Sequence, residues 1–319
     1  MAGSAARLRS DTAAERAAAA RRRRRRLKEN LTGWLFASPW VFGLLAFVVG
    51  PMLASIYLGM TKYDVIQPPL WVGLRNYVEI LTEDPLTWQS LRFTTLYAVL
   101  SVVINLVAGL LLAVLLNQRI KWMPLWRTLY YMPTLLSGVV VALLWLWMFN
   151  GHFGVVNYLL KVLFGVQGPN WLLDEQWVLP GFLLLSLWGI GGSMLINLGG
   201  LQGVPTALHE AAEIDGANAL RRFWHITIPM ISPVILFNLI LGVIGALQSF
   251  TYFFIMTKGG PNDATLSYML YLYRQAFDFL HMGYAAAMAW VLFVYLAALT
   301  LLMFRLARGW VYYEYARPR

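Results

Sequence analysis

The sequence predicts an all-α membrane protein with about six transmembrane helices, and three observations support this prediction. Of the 319 residues, 59% are apolar and only 13% are charged, a composition that a soluble domain with an aqueous surface does not carry. The charged residues fall in clusters that are separated by long uncharged stretches. Those stretches are long enough, at roughly 20 residues each, to cross the hydrocarbon core of a bilayer as helices.

Six stretches meet this length and contain no Asp, Glu, Lys or Arg. They are Pro39–Met60, Phe93–Leu116, Leu129–Phe149, Val178–Leu201, Ile231–Met256 and Tyr284–Phe304. So many uncharged stretches in one chain make the fully buried helices of a soluble core a poor alternative. After the first stretch, Leu74, Tyr77, Val78 and Leu81 are spaced as one face of a helix, which predicts a short amphipathic helix on the outer surface.

Positive charge is distributed unequally between alternate connecting segments, with 19 Lys and Arg in one set and 6 in the other. Because positive residues are retained on the cytoplasmic side, both termini are expected in the cytoplasm. Ten of these residues precede Trp34, and they include the run Arg21–Arg26. This surplus predicts a disordered tail over residues 1–33 that touches anionic lipids and does not bind nucleic acid. The membrane domain is then expected over residues 34–310, with a second cytoplasmic tail over residues 311–319.

Several kinds of chemistry lack the residues that they need. The chain has no cysteine, which excludes disulfides, thiol catalysis and cysteine metal sites. The four histidines are scattered and form neither a metal motif nor a catalytic triad. We therefore expect that the chain has no metal site and no enzymatic activity. The predicted spans have no ionisable group for proton coupling, and no Gly-Lys pair exists to form a phosphate-binding loop. If ATP drives this protein, another subunit binds the ATP.

The segment 203–229, between the fourth and fifth stretches, is predicted to form two short helices around one break. Pro205 and Thr206 suit a helix start, with the Thr206 hydroxyl as a cap. Gly216 is expected to end this helix with a positive φ. A second short helix then leads to Pro229. Charged residues of this segment that are available for ion pairs are Glu210, Asp215, Arg221 and Arg222.

The spacing within this segment is highly specific. Glu210-Ala211-Ala212, three residues, Gly216, nine residues and Ile226-Thr227-Ile228-Pro229 resemble the EAA loop of the membrane subunits of binding-protein-dependent ABC importers, with Ile228 where Leu is usual. Residues 71–77 and 259–265 further resemble carbohydrate-uptake permeases of the maltose type. The resemblance covers roughly residues 34–310.

This resemblance implies a type I ABC importer permease fold in a bacterial inner membrane. A second homologous permease chain would complete the translocation path, and two ATPase subunits would bind ATP and Mg below it. An extracytoplasmic solute-binding protein would deliver the solute. The EAA loop would couple the chain to the ATPase through Glu210, Ala211, Ala212, Asp215, Gly216, Arg221 and Arg222.

A sugar offers hydroxyl groups and an apolar ring face, so its site needs neutral hydrogen-bonding side chains beside aromatic rings. The fourth and fifth spans supply such candidates: Trp188, Gly192, Ser193, Asn197, Gln248, Ser249 and Tyr252. Gly245 and Ala246 are small, so the partner permease is an alternative source of most solute contacts. A permease for a glycerol phosphodiester, polyamine or peptide is one rival interpretation. A stand-alone transporter and a membrane enzyme are two others.

Overall fold

The computed structural model describes residues 28–118 and 121–312, and this part of the chain is mostly helical and has one short sheet. The chain divides into two units, one ending at Leu58 and the other beginning at Gly59. The described residues of the first unit belong to one helix, α1 (Lys28–Gly59). The Arg21–Arg26 run, Arg119 and residues 313–319 lie outside the described residues, so the predicted tails stay predictions there.

Helix is already present at Lys28, within the segment 1–33 that the sequence predicts as a tail. Lys28, Glu29 and Leu31 favour helix, and no glycine or proline separates them from the apolar stretch. Long charged side chains also keep their ionic groups in the headgroup region while their stems cover apolar surface. A helix therefore extends beyond the part of the sequence that hydropathy selects.

A short hairpin and an amphipathic helix open the second unit. Strands β1 (Thr61–Lys62) and β2 (Leu70–Trp71) pair in antiparallel fashion. Helix α2 (Arg75–Thr82) follows, and it packs through Asn76 and Ile80, which are buried. Most of the predicted apolar stripe, in contrast, is not covered by other residues, since Leu74, Val78 and Leu81 are exposed.

The remaining helices follow in chain order. They are α3 (Pro85–Leu116), α4 (Met123–Tyr131), α5 (Gly138–Met148), α6 (Val155–Phe164), α7 (Glu175–Ser186), α8 (Ile190–Gln202), α9 (Thr206–Ile214), α10 (Ala219–Arg222), α11 (Ile228–Met230), α12 (Ser232–Leu247), α13 (Thr251–Met256), α14 (Tyr268–Tyr273) and α15 (Met282–Ala307). Two 3₁₀ turns lie at Met132–Leu135 and Leu187–Gly189. Helical π turns lie at Leu45–Val49, Phe223–Thr227 and Arg274–Asp278.

The all-α membrane fold is confirmed, with one change to the predicted spans. Five helical stretches of the described residues are long and apolar enough to cross a membrane, or six if a bent pair counts as one span. The bent pair replaces the predicted straight span Leu129–Phe149, since Met123–Leu135 and Gly138–Met148 meet at 97°. Pro133 lacks a backbone donor, and the Ser137 hydroxyl caps the start of α5 by accepting a bond from Val140 N.

Helices α3 and α8 of the second unit pack closely against each other. A Cβ on Gly109 of α3 would lie 2.3 Å from the Ser193 hydroxyl of α8, so only glycine allows the helices to approach this closely. A buried cluster surrounds this contact on one side, formed by Leu112, Ala113, Leu116, Met194, Leu198, Leu201 and Ile231.

Asp84 ties the start of α3 to two later helices. Its Oδ1 caps α3 by accepting hydrogen bonds from the backbone N–H groups of Leu86 at 2.9 Å and Thr87 at 3.3 Å. Its Oδ2 accepts hydroxyl hydrogen bonds at 2.7 Å from Tyr271 of α14 and Tyr284 of α15. Burial alone raises the pKa of this carboxyl, but hydrogen bonds from Tyr284, Tyr271 and Thr87 outweigh it and hold the pKa below its ordinary value.

We predict that Asp84→Asn lowers the free energy of unfolding by about 2 kcal/mol, because hydrogen bonds to a charged acceptor are lost. The measurement is thermal or denaturant unfolding of the purified protein in detergent. Asp278→Asn is the matched control, since Asp278 is exposed and its replacement should change stability by less than about 0.5 kcal/mol.

The pH dependence gives an independent check. Because the folded pKa of Asp84 is depressed, its contribution is complete above the unfolded pKa, at roughly 4, and is lost as the pH falls through the folded pKa. The wild-type protein should therefore lose stability more steeply than Asp84→Asn as the pH is lowered below about 4. Parallel curves for the two proteins would contradict this role for Asp84.

Candidate functional site

A cavity of about 570 Å³ lies among the membrane-spanning helices of the second unit. It is bounded by α3, by the bend between α4 and α5, by the turn between α7 and α8, and by α12 and α13. Among the described residues that line it, none is Asp, Glu, Lys, Arg or His. Its polar groups are hydroxyls and amides, and its aromatic groups are Tyr97, Trp188 and Tyr252. This is the combination that binds a hydroxyl-rich neutral molecule.

The structure brings four of the predicted solute-path residues to this cavity and leaves three away from it. Trp188, Ser193, Ser249 and Tyr252 line the cavity. Gly192 and Gln248 are not among the lining residues, and Gln248 is exposed.

Asn197 is the third predicted residue that does not line this cavity. Its side chain is completely buried, and its Oδ1 accepts a hydrogen bond from Asn238 Nδ2 at 2.9 Å. Its own Nδ2 has no partner among the described residues. The amide therefore holds α8 against α12 and does not face the cavity, since a polar group in an apolar helix pair is bonded to its neighbour where it can be.

The sequence prediction missed one wall of the cavity. Tyr97, Ser101 and Asn105 lie one turn apart on α3 and all line the cavity, as does Ser186 at the end of α7. The signal was present, because Asn105 is the only amide in the predicted span Phe93–Leu116. Hydropathy alone does not distinguish a polar residue that faces a cavity from one that faces a neighbouring helix.

Two interruptions of helical structure meet at the cavity. The bend before α5 and the break between α12 and α13 both contribute lining residues, Leu136 and Ser249. The two breaks are close, since a Cβ on Gly138 would lie 3.6 Å from Thr251 Cγ2 and 3.9 Å from the Tyr252 hydroxyl. Trp188 adds an aromatic wall and packs edge to face on Trp145, with ring centroids 5.8 Å apart.

A larger groove of about 760 Å³ has a different character. Its lining comes from the hairpin, α2, the start of α3 and the segment between α14 and α15, and it includes Lys62, Asp64, Arg75 and Glu79. These are charged surface residues that lie outside the membrane spans. The 570 Å³ cavity is therefore the better candidate for a path across the membrane.

The segment 203–229 forms the predicted elbow. Helix α9 ends at Ile214, and Gly216 follows its cap residue with a φ of +76°, which confirms the expected left-handed conformation. Ala217 N donates to Ala212 O at 2.9 Å and Gly216 N to Glu213 O at 3.0 Å, which is the Schellman arrangement. The start differs from the prediction, because Thr206 is already helical and Pro205 precedes it without a side-chain cap.

The two arms of the elbow are joined to each other and expose apolar side chains. Arg222 donates to Glu213 across the break, and the Asn218 side chain caps α10 by accepting from Arg221 N. Of the predicted coupling residues, Glu210, Ala211, Asp215, Gly216 and Arg221 are exposed, whereas Ala212 and Arg222 are half-buried. Ile214 is 88% exposed and Leu220 is 67% exposed, so the elbow offers an apolar surface beside its charges.

Comparisons with known proteins agree on one family. The family model described as "Binding-protein-dependent transport system inner membrane component" matches residues 105–310. The "Probable ABC transporter permease protein YesP" of Bacillus subtilis (strain 168) is 43% identical over 290 residues, which are 90% of this chain and 94% of that protein. The "Lactose transport system permease protein LacF" of Rhizobium radiobacter is 34% identical over 292 residues, 88% of this chain and 95% of that protein.

A solved structure shows the same fold. It is a bacterial ABC transporter involved in the import of the acidic polysaccharide alginate, and one of its chains superimposes with a TM-score of 0.77. The alignment covers 89% of this chain and 99% of that chain at 23% identity. At this identity the likeness concerns the fold alone.

We predict that the Asn197–Asn238 pair is structural. Asn238→Leu leaves Asn197 buried without a partner and should lower the free energy of unfolding by about 1 kcal/mol. The double variant Asn197→Leu/Asn238→Leu removes both amides and should recover part of that loss. The free energy of unfolding in detergent is measured for the wild-type protein, Asn197→Leu, Asn238→Leu and the double variant. Strictly additive effects would show that the two amides do not interact.

Proposed function

The chain belongs to the family of binding-protein-dependent transport system inner membrane components, and we propose that it forms half of the path by which an ABC importer takes up a sugar or sugar-like solute. It is the membrane-spanning permease subunit. The relative LacF is named for lactose transport, and a neutral sugar fits the cavity of this chain.

The uncharged cavity is the observation on which the proposed solute class depends. Its volume of about 570 Å³ is within the range of small-molecule sites, and its lining offers hydroxyls, amides and aromatic faces. Ring faces of a sugar pack on aromatic side chains, while its hydroxyls need donors and acceptors of no net charge. A phosphodiester or a polyamine is charged, and the described lining of this cavity offers it no residue of opposite charge.

The elbow is the proposed contact with the ATPase. Its exposed apolar residues and its free charges, Glu210, Asp215 and Arg221, suit a partner surface with a hydrophobic centre and a polar rim. The Schellman ending of α9 and the Arg222–Glu213 ion pair fix the angle between the two arms. A fixed angle is what a lever needs if it is to transmit motion.

The proposed assembly has two ATPase subunits, which bind ATP and Mg, a second homologous permease chain and an extracytoplasmic solute-binding protein. We place it in a bacterial inner membrane with both termini of this chain in the cytoplasm. The unequal distribution of Lys and Arg between connecting segments supports this orientation.

Reconstitution tests the proposed function. We expect the chain alone in liposomes to move no radiolabelled lactose, trehalose or maltose in either direction. The assembly of two permeases, ATPase and loaded binding protein should take up solute only with ATP. Uptake by the isolated chain, driven by a proton gradient or by the solute gradient, would favour a stand-alone transporter instead.

Gly216→Val tests the elbow. A β-branched residue is strained by about 1 kcal/mol or more at positive φ, although no atom of the described residues lies within 4 Å of the added Cβ. We expect several-fold less solute moved per ATP hydrolysed, or less co-purifying ATPase, because the lever meets its partner at the wrong angle. Gly216→Asn is the matched control, since Asn tolerates this conformation and should retain most coupling. Equal values for the Val variant and wild type would contradict the coupling role.

A further inference from the structure

Asn105 is placed where an amide in a membrane span requires an explanation. It lies midway along α3, on the same face as Tyr97 and Ser101, and it lines the 570 Å³ cavity. A polar side chain in a span is costly unless its groups are bonded, and in transporters it often marks the path of the solute. The bonds that this amide makes, and the one that it lacks, define what it can bind.

Both amide donors of Asn105 are already used. Nδ2 donates to the backbone carbonyl of Ser101 at 2.8 Å and to the Ser186 hydroxyl at 2.9 Å. The Ser186 hydroxyl gives its own proton to Leu183 O at 2.7 Å, so toward Asn105 it can only accept. The Ser101 carbonyl likewise can only accept. These two acceptors fix the orientation of the amide, with nitrogen toward the helices.

The amide oxygen is left as a free acceptor. No described residue donates to Asn105 Oδ1, and this oxygen is not completely buried. It is therefore reached by solvent, and its residue lines the cavity. Helix packing accounts for the two donors, which join α3 to α7, but it does not account for an oxygen that remains open.

We propose that Asn105 Oδ1 accepts a hydrogen bond from a hydroxyl of the transported solute and selects for hydroxyl-bearing molecules. This inference rests on the proposed function and adds α3 to the solute site. The acceptor lies on α3, whereas Trp188, Ser193 and Ser249 belong to other segments that line the same cavity. A carboxylate or phosphate oxygen cannot replace the hydroxyl, because the amide orientation presents only an acceptor.

Thiol labelling tests whether the position faces the cavity, and the absence of cysteine makes the chain a ready background. In the assembled importer, a charged methanethiosulfonate reagent should modify Asn105→Cys, as judged by the mass of this chain. Two control variants place the cysteine at positions that do not face the cavity. Asn197→Cys is buried and should not react, and Val103→Cys, exposed on another face of α3, should react only with an apolar reagent. An unreactive Asn105→Cys would overturn the proposal.

Deoxy sugars test the hydrogen bond itself. Uptake per ATP is measured at saturating loaded binding protein, with whichever of lactose, trehalose or maltose the wild-type assembly transports and with its monodeoxy derivatives. Asn105→Leu should lower uptake of the parent sugar about 2- to 10-fold, as expected for one lost hydrogen bond. For one deoxy derivative, Asn105→Leu and wild type should then be equally slow, because the partner hydroxyl is already missing.

Leu112→Ala separates binding from packing. It removes buried packing on α3 but leaves the lining of the cavity unchanged, so stability should fall while wild-type discrimination among the deoxy sugars is retained. If Asn105→Leu discriminates among all deoxy sugars as wild type does, Asn105 does not bind a solute hydroxyl. If wild type transports none of the three sugars, the proposed function fails, and thiol labelling still decides whether Asn105 faces the cavity.

Discussion

The hydrocarbon core offers no hydrogen-bond partner to the backbone, so helical structure can be interrupted only where other groups or a cavity satisfy the free amides and carbonyls. Two interruptions in the described spans of the second unit, both at the cavity, obey this constraint. At the bend before α5, the Ser137 hydroxyl caps Val140 N. At the end of α12, Gln248 N and Ser249 N donate back to the carbonyls of Ile244 and Ala246. The irregular backbone is thus confined to the cavity, where water or solute hydroxyls can complete the bonding.

The same constraint sorts the polar side chains. Asn238 donates to Asn197 Oδ1 between α8 and α12, and Asn197 is completely buried there. Asn105 uses its donors in the same way but keeps its oxygen open to the cavity. Two amides of identical chemistry therefore have different roles, and the difference arises from which groups the neighbouring helix presents. A path lined in this manner has polarity without net charge, which suits a neutral hydroxylated molecule.

Sequence reasoning succeeded where local chemistry decides the outcome. Uncharged length located the apolar spans, and glycine after a run of helix formers located the end of α9 at Gly216. The bend near Pro133 was missed although Pro133, Ser137 and Gly138 all signalled it, because average hydropathy outweighed them. The faces of α3 and α8 were not predictable, since helices that are apolar on every side give no periodic signal for rotation. The hydrogen bonds of Asp84 were not predictable either, because its tyrosine partners follow it by 187 and 200 residues in the sequence.

The elbow and the cavity are connected by the two helices that flank the elbow. Helix α8 contributes Ser193 to the cavity and ends at the elbow, and α12 leads from the elbow back to the cavity. Ile231, at the start of α12, is fully buried against Leu198 and Leu201 of α8, so the two helices meet the elbow as one packed body. Close contact at Gly109 opposes sliding of α8 along α3, because the Ser193 side chain would have to pass over the backbone of α3.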